Sequence, residues 1–230
     1  MSQRHHLPMP FPSAIHPVTT KSGTYTLNAG TDGLHAENAD KTEKGFIYIF
    51  GGTFMITATS DGIDAASTLQ IIDGTFTVQA EGKGVKSTGD LLIAGGTLQI
   101  TSTDDSLHTN ASCAITGGVI ILTGNSGMAQ NFGTASTQGS ILLNFSSTST
   151  APVTLADSDG NTILTYQPPK TYNSVVVSAP SLTKGNTYSL SACGQTQNIT
   201  LSSLIYGSGG MGGGGMCGGS QPGGRPGGRP

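Results

Sequence analysis

The sequence predicts an all-β protein: a right-handed parallel β-helix with about 22 residues per coil, followed by a small antiparallel β capping module. Three observations predict it. A segment recurs at a constant step, its apolar residues alternate, and a second element recurs in phase with it. The segment Gly-Gly-Thr-Phe-Met-Ile-Thr-Ala at 51–58 returns at 73–80, 95–102 and 117–124, with its second glycine at 52, 74, 96 and 118. An earlier copy, Ser-Gly-Thr-Tyr-Thr-Leu-Asn-Ala at 22–29, stands 29 residues upstream, so one turn carries extra residues. Alternation is the period of a half-buried strand. It puts Tyr25, Phe54, Phe76, Leu98 and Ile120 in one inward column and Leu27, Ile56, Val78, Ile100 and Leu122 in the next. The second element reads Asp32-Gly-Leu-His, Asp61-Gly-Ile-Asp, Lys83-Gly-Val-Lys and Asp105-Ser-Leu-His. It supplies an inward column of Leu34, Ile63, Val85, Leu107 and Met128; Ile49, Ile71, Ile93 and Ile115 form another. One unit cannot bury its apolar side alone, but stacking units about 4.8 Å apart aligns like residues into internal ladders.

The repeat fades near Gln138. The apolar stretches beyond it, including Ser140–Phe145, Val153–Leu155 and Ser174–Ser178, are separated by turn signals such as Asp157-Ser-Asp-Gly160 and Pro168-Pro169. The organisation expected is a disordered segment at 1–21, the β-helix at 22–138, a β module at 139–206 and a disordered Gly-rich tail at 207–230. The module is expected to cover the open end of the helix, whose unpaired strand edges would otherwise recruit other chains. The opposite end has no comparable cover.

Composition excludes some functions. The net charge is −3, and the arginines are Arg4, Arg225 and Arg229, all in the terminal segments. That inventory lacks the basic footprint of nucleic-acid binding. No apolar run approaches the roughly 18 residues of a membrane span, and the opening has no apolar core of secretory-signal length. His5, His6 and His16 lie in a Pro-rich opening and read as tail. Cys113, Cys193 and Cys217 lack metal-ligand or redox spacing, and Cys113 is expected to pack as a small apolar residue.

Chemistry follows from register. Asp32, Asp61, Lys83 and Asp105 form one column, and His35, Asp64, Lys86 and His108 another. Carboxylates one strand apart repel, so the columns are read either as a ladder neutralised by Lys83 and Lys86 or as a site for a hard cation such as calcium. The candidate ligands are Asp32, Asp61 and Asp64, with Asp104 and Asp105 as a second set. The outward positions carry Thr24, Thr53, Thr75 and Thr97, then Thr26, Met55, Thr77 and Gln99, continued by Thr57, Gln79, Thr101 and Thr123. This hydroxyl-rich, nearly uncharged face suits a polysaccharide; β-propensity alone also favours Thr there, and ice binding is disfavoured by Met55, Gln99 and Ile121. Tyr48 is expected to face outward beside the charged insertion at 37–45, where it would stack on a sugar ring. The candidate carbohydrate-binding residues are Tyr48, Thr53, Thr75, Thr77, Thr97 and Gln99.

The motifs Thr31-Asp-Gly-Leu-His-Ala-Glu-Asn-Ala-Asp40, Lys44-Gly-Phe-Ile-Tyr-Ile-Phe-Gly-Gly-Thr-Phe54 and Ser60-Asp-Gly-Ile-Asp-Ala65 carry a family resemblance. So do Thr137-Gln-Gly-Ser-Ile-Leu142, Tyr172-Asn-Ser-Val-Val-Val-Ser178 and Lys184-Gly-Asn-Thr-Tyr188. Over roughly 22–206 the chain resembles the bacterial calcium-associated carbohydrate-binding β-helix proteins. The resemblance implies a pectate-lyase-like fold, calcium on the helix, binding of cellulose or polygalacturonate, and an extracellular or cell-surface location. Lys83-Gly-Val-Lys86 departs from the acidic motif. The expected function is non-catalytic polysaccharide binding, with calcium assistance; the alternatives are a calcium-dependent polysaccharide lyase and a structural cell-surface or adhesion protein.

Overall fold

The computed structural model describes residues 18–37 and 44–207. His5, His6, His16, Cys217, the two terminal segments up to Pro17 and from Ser208, and most of the charged insertion lie outside the described residues. What is described is all-β, and its repeats build three parallel sheets. The first strands of the units are β1 (Val18–Thr20), β4 (Ile47–Ile49), β7 (Leu69–Ile71), β10 (Leu91–Ile93) and β13 (Cys113–Ile115). They form one sheet in that order. The second strands, β2 (Thr24–Ala29), β5 (Thr53–Ala58), β8 (Thr75–Ala80), β11 (Thr97–Ser102) and β14 (Val119–Gly124), run side by side in another. The third strands, β3 (Leu34–Ala36), β6 (Ile63–Ala65), β9 (Val85–Ser87) and β12 (Leu107–Thr109), make the third sheet. Strand β1 falls inside the segment read from sequence as disordered.

Register follows the repeat. Phe54 pairs with Phe76, Phe76 with Leu98 and Leu98 with Ile120, while across the insertion Tyr25 pairs with Phe54. Inward residues therefore stack on their own kind. The rings of Tyr25 and Phe54 lie 4.8 Å apart at 11°, and those of Phe54 and Phe76 lie 4.7 Å apart at 4°. The same logic aligns the turn glycines. Gly96 adopts φ 89°, which L residues rarely hold. A Cβ there would stand 2.5 Å from the carbonyl oxygen of Gly74, which already accepts the Thr97 amide at 2.8 Å. Gly96→Ala is therefore expected to cost about 1–3 kcal/mol in urea unfolding, because neither the backbone angle nor the neighbouring carbonyl can give way cheaply. A loss under a few tenths would mean the units are not held at this spacing.

Beyond β14 the second sheet continues with chain reversal. β18 (Tyr172–Ser178) pairs antiparallel with β14, β15 (Ser140–Ser149) antiparallel with β18, and β21 (Ile205–Tyr206) parallel with β15. A separate antiparallel sheet runs β17 (Thr162–Tyr166), β16 (Val153–Ala156), β19 (Thr187–Ala192), β20 (Gln195–Thr200). The C-terminal residues were expected to cover an end. They do extend the sheet's edge, but their second sheet also packs on the outer face of the last strands. Ile120, Leu122, Leu142 and Val176 point into the core of the repeats. Ile121, Ile141, Leu143, Val175 and Val177, from the same strands, belong to a second core with Leu155, Leu164, Tyr188 and Leu190. Two cores share one sheet.

Two further differences concern the last unit. Met128 is not in the inward column: it is 43% exposed, and Ala129 and Phe132 are buried in the core instead. The chain leaves the repeat here, with the Gly127 amide donating to Asn125 Oδ1 at 2.9 Å. Cys113 is buried in the core as a small apolar residue, and Cys193 is a free thiol.

Candidate functional site

The outward side of the second sheet changes character along the stack. On β5 Thr53, Met55 and Thr57 are all exposed. On β8 Thr75 is exposed while Thr77 and Gln79 are half-buried. On β11 Thr97 is exposed, Gln99 half-buried and Thr101 buried; on β14 Ile121 and Thr123 are buried. The platform expected to run through Thr101 and Thr123 therefore stops short of them, because the second antiparallel sheet covers that end. Thr101 and Thr123 hydroxyls bond each other at 2.9 Å, and Thr101 bonds the Tyr166 phenol at 2.8 Å. Burial pushes the Tyr166 phenol up. Lys170 fastens the same edge: its ammonium donates to the Ala80 carbonyl at 3.0 Å and to Glu81 Oε1 at 2.8 Å.

Thr53, Thr75 and Thr97 stand in one row, and Met55, Thr77 and Gln99 in the next. No outward position of β2, β5, β8 or β11 carries an ionisable side chain. Tyr48 is not part of this face. It lies on β4 in the first sheet, in register with Thr19 and Gln70. It is half-buried, with its ring 6.0 Å from that of Phe46 at 13°, and burial raises its phenol above the ordinary value. Sequence reading missed Phe46, Tyr166 and Lys170. The Phe46-x-Tyr48 spacing places two aromatics on one side of a strand and was the available signal; Tyr166 and Lys170 act from far along the chain.

The acidic columns occupy the third sheet and the turns leading into it. His35 pairs with Asp64, Asp64 with Lys86 and Lys86 with His108. Asp32 Oδ1 accepts the Asp61 amide at 2.9 Å, and Asp61 Oδ1 accepts the Lys83 amide at 2.7 Å. Lys86 bridges Asp61 Oδ2 at 2.9 Å and Asp64 Oδ2 at 3.0 Å. Burial alone would lower the Lys86 ammonium, but hydrogen bonds and charge from Asp61 and Asp64 outweigh it and hold it above the usual lysine range. Lys83 stands between Asp61 and Asp105 in the column, but its ammonium neutralises neither of them; it pairs with Asp104 at 2.7 Å. Both Asp61 oxygens are already engaged, and the more exposed Asp104 lets the ammonium stay near water.

These pairings imply an acid limit. Burial would raise Asp32, but the Ser60 side chain, the Asp61 amide and the charges of His35 and Lys86 hold it below the ordinary carboxylate value. The Lys83 hydrogen bond does the same for Asp104, against burial. A depressed folded-state value contributes stability above the unfolded value, near 3.9, that is lost as pH falls through the folded one. Melting temperature is thus expected to drop below about pH 4, and Lys83→Met is expected to flatten the part of that drop due to Asp104.

Asp32, His35 and Asp64 each offer one ligand atom, all within 4.8 Å of one another. His35 Nδ1 lies 3.2 Å from Asp32 Oδ2 and 3.4 Å from Asp64 Oδ2. Of the residues read as cation ligands, the structure brings together Asp32 and Asp64 and adds His35. Asp61 has both oxygens in hydrogen bonds, and Asp104 is paired with Lys83. Asp105 is 0% exposed, and neither of its oxygens has a hydrogen-bond partner among the described residues. His108 Nδ1 approaches it at 3.5 Å. By the pattern of its column, Asp105 would accept the Gly127 amide, which Asn125 has taken instead. Two carboxylates and an imidazole suit a borderline divalent ion better than calcium, which takes six to eight oxygens.

Among the described residues no helix is long and apolar enough to cross a membrane. Residues 14–127, just under half of the chain, match the family model described as carbohydrate-binding domain-containing protein. That match spans the repeats and supports a carbohydrate-binding domain there. Neither a curated protein nor a solved structure matches the chain.

Proposed function

We propose that the repeat region, matched as a carbohydrate-binding domain, is wound as a right-handed parallel β-helix that binds extracellular polysaccharide on its second sheet without altering it. One observation carries this reading. Rows of Thr53, Thr75, Thr97, Thr77 and Gln99 project from a rigid parallel sheet with no charge among them, inside the stretch that the family match covers. Such a surface offers many weak hydrogen bonds in fixed register to a ligand that presents hydroxyls in a repeat. Cellulose and pectin-like chains are the ligands this reading favours. A cation is a second element of it, held by Asp32, His35 and Asp64. Calcium would draw on the two carboxylates, and these donors lie on a different sheet from the threonines.

Catalysis is disfavoured by the state of the bases. A lyase needs a neutral base beside its cation, yet Lys83 and Lys86 are tied to carboxylates and Lys86 is held protonated. The test is retention of the full chain on insoluble cellulose and its retardation by polygalacturonate in a gel, each with calcium and with chelator. Retention is expected, and Thr53→Ala/Thr75→Ala/Thr97→Ala is expected to weaken it by at least about tenfold, since each hydroxyl contributes roughly 0.5–1.5 kcal/mol. Absence of binding to every polysaccharide would end the binding reading. Release of unsaturated, ultraviolet-absorbing product would replace it with a lyase.

A further inference from the structure

The open face ends against a step. The antiparallel sheet β17-β16-β19-β20 lies over the outer face of β14, β18 and β15, and packed sheets stand about 10 Å apart. Its edge strand nearest the open face is β17, because Tyr166 bonds Thr101 on β11 and the following Lys170 bonds Ala80 on β8. The graded burial of Thr77, Gln79 and Gln99 traces the foot of this step. The result is an inside corner: a floor of threonine and glutamine side chains and a wall made by an edge strand.

Resting on the binding reading above, we infer that this corner receives a single uncharged polysaccharide chain and that the face is not a platform for crystalline polysaccharide. A planar crystal face needs a flat partner, whereas the step leaves free only β2, β5, β8 and the start of β11. A single chain is narrow enough to touch floor and wall together. Edge strand β17 has one side unpaired in its sheet, so backbone donors and acceptors are available there to sugar hydroxyls. Charge decides between neutral and uronate chains. The floor has no ionisable group, and the cation at the wall, Lys170, is neutralised by Glu81 at 2.8 Å. A polyanion would find no unpaired cation at this corner among the described residues.

The experiment compares three probes on the full chain: a soluble uncharged β-1,4-glucan, polygalacturonate, and microcrystalline cellulose. The soluble glucan is expected to retard the protein in a gel, with at least about tenfold higher affinity than is measured on the crystalline solid. Thr77→Ala/Gln99→Ala, at the foot of the step, is expected to lower glucan affinity by about tenfold with the melting temperature unchanged. Thr24→Ala/Thr26→Ala, at the far end of the same face, is expected to lower it less than twofold. Equal losses from the two pairs, equal affinity for crystal and soluble chain, or binding to polygalacturonate alone would each overturn the corner while leaving polysaccharide binding intact. No binding to any probe would remove both readings.

Discussion

Phe76→Ala is expected to destabilise the protein by roughly 3–5 kcal/mol, the range for emptying a fully enclosed aromatic site. Phe76 is 0% exposed, stacked 4.7 Å from Phe54 on one side and in register with Leu98 on the other. Truncation loses the transfer energy of the ring and the ring–ring contact, itself worth about 0.5–1.5 kcal/mol. The site cannot collapse to recover the loss, because hydrogen bonds fix the distance between β5, β8 and β11. Phe76→Leu keeps most of the volume and is expected to cost under about 1.5 kcal/mol. Urea unfolding measures both. A Phe76→Ala loss below about 1 kcal/mol would mean that the ladder is not packed as described.

Ile121→Asp is expected to be about as damaging, by roughly 3–5 kcal/mol, for a different reason. Alternation along β14 would leave Ile121 facing water, as Gln99 and Thr77 partly do one and two strands earlier. Instead it is buried between the sheets with Val175, Val177, Leu155 and Leu190. A carboxylate there has no counter-charge in its core. Thr97→Asp, outward on the same sheet but exposed, is the matched control and is expected to stay within about 0.5 kcal/mol. Equal effects at the two positions would show that the antiparallel sheet does not cover β14.

The repeat was legible because its register is written in spacing. The glycines at 52, 74, 96 and 118 and the columns from Tyr25 to Ile120 fix which residues lie over which, and the pairings follow them. The shared sheet was less legible, although a signal existed. Val119-Ile-Ile-Leu122, Ile141-Leu-Leu143 and Val175-Val-Val177 are continuous apolar runs, the mark of strands buried on both faces. Reading them as ordinary strands left Ile121 an interruption in a threonine face. The acidic site was half legible. Column logic placed Asp32 near Asp61 and His35 beside Asp64, but the destinations of Lys83 and Lys86 depend on side-chain reach and on which oxygens the backbone has already used. Long-range contacts such as Tyr166 with Thr101 have no local sequence signature.

The carbonyls of Gly23, Gly52, Gly74 and Gly96 each accept a backbone amide from the following unit, so these units present the same seat that they occupy. An array built this way can gain or lose whole modules by duplication or deletion in frame, and partial modules are penalised because they break that seat. The 29-residue step from 22–29 to 51–58 shows the tolerated exception, since the strands keep their pairing across it. Ligand reach in such a lineage would therefore change in discrete increments, one strand width at a time, rather than by reshaping a pocket.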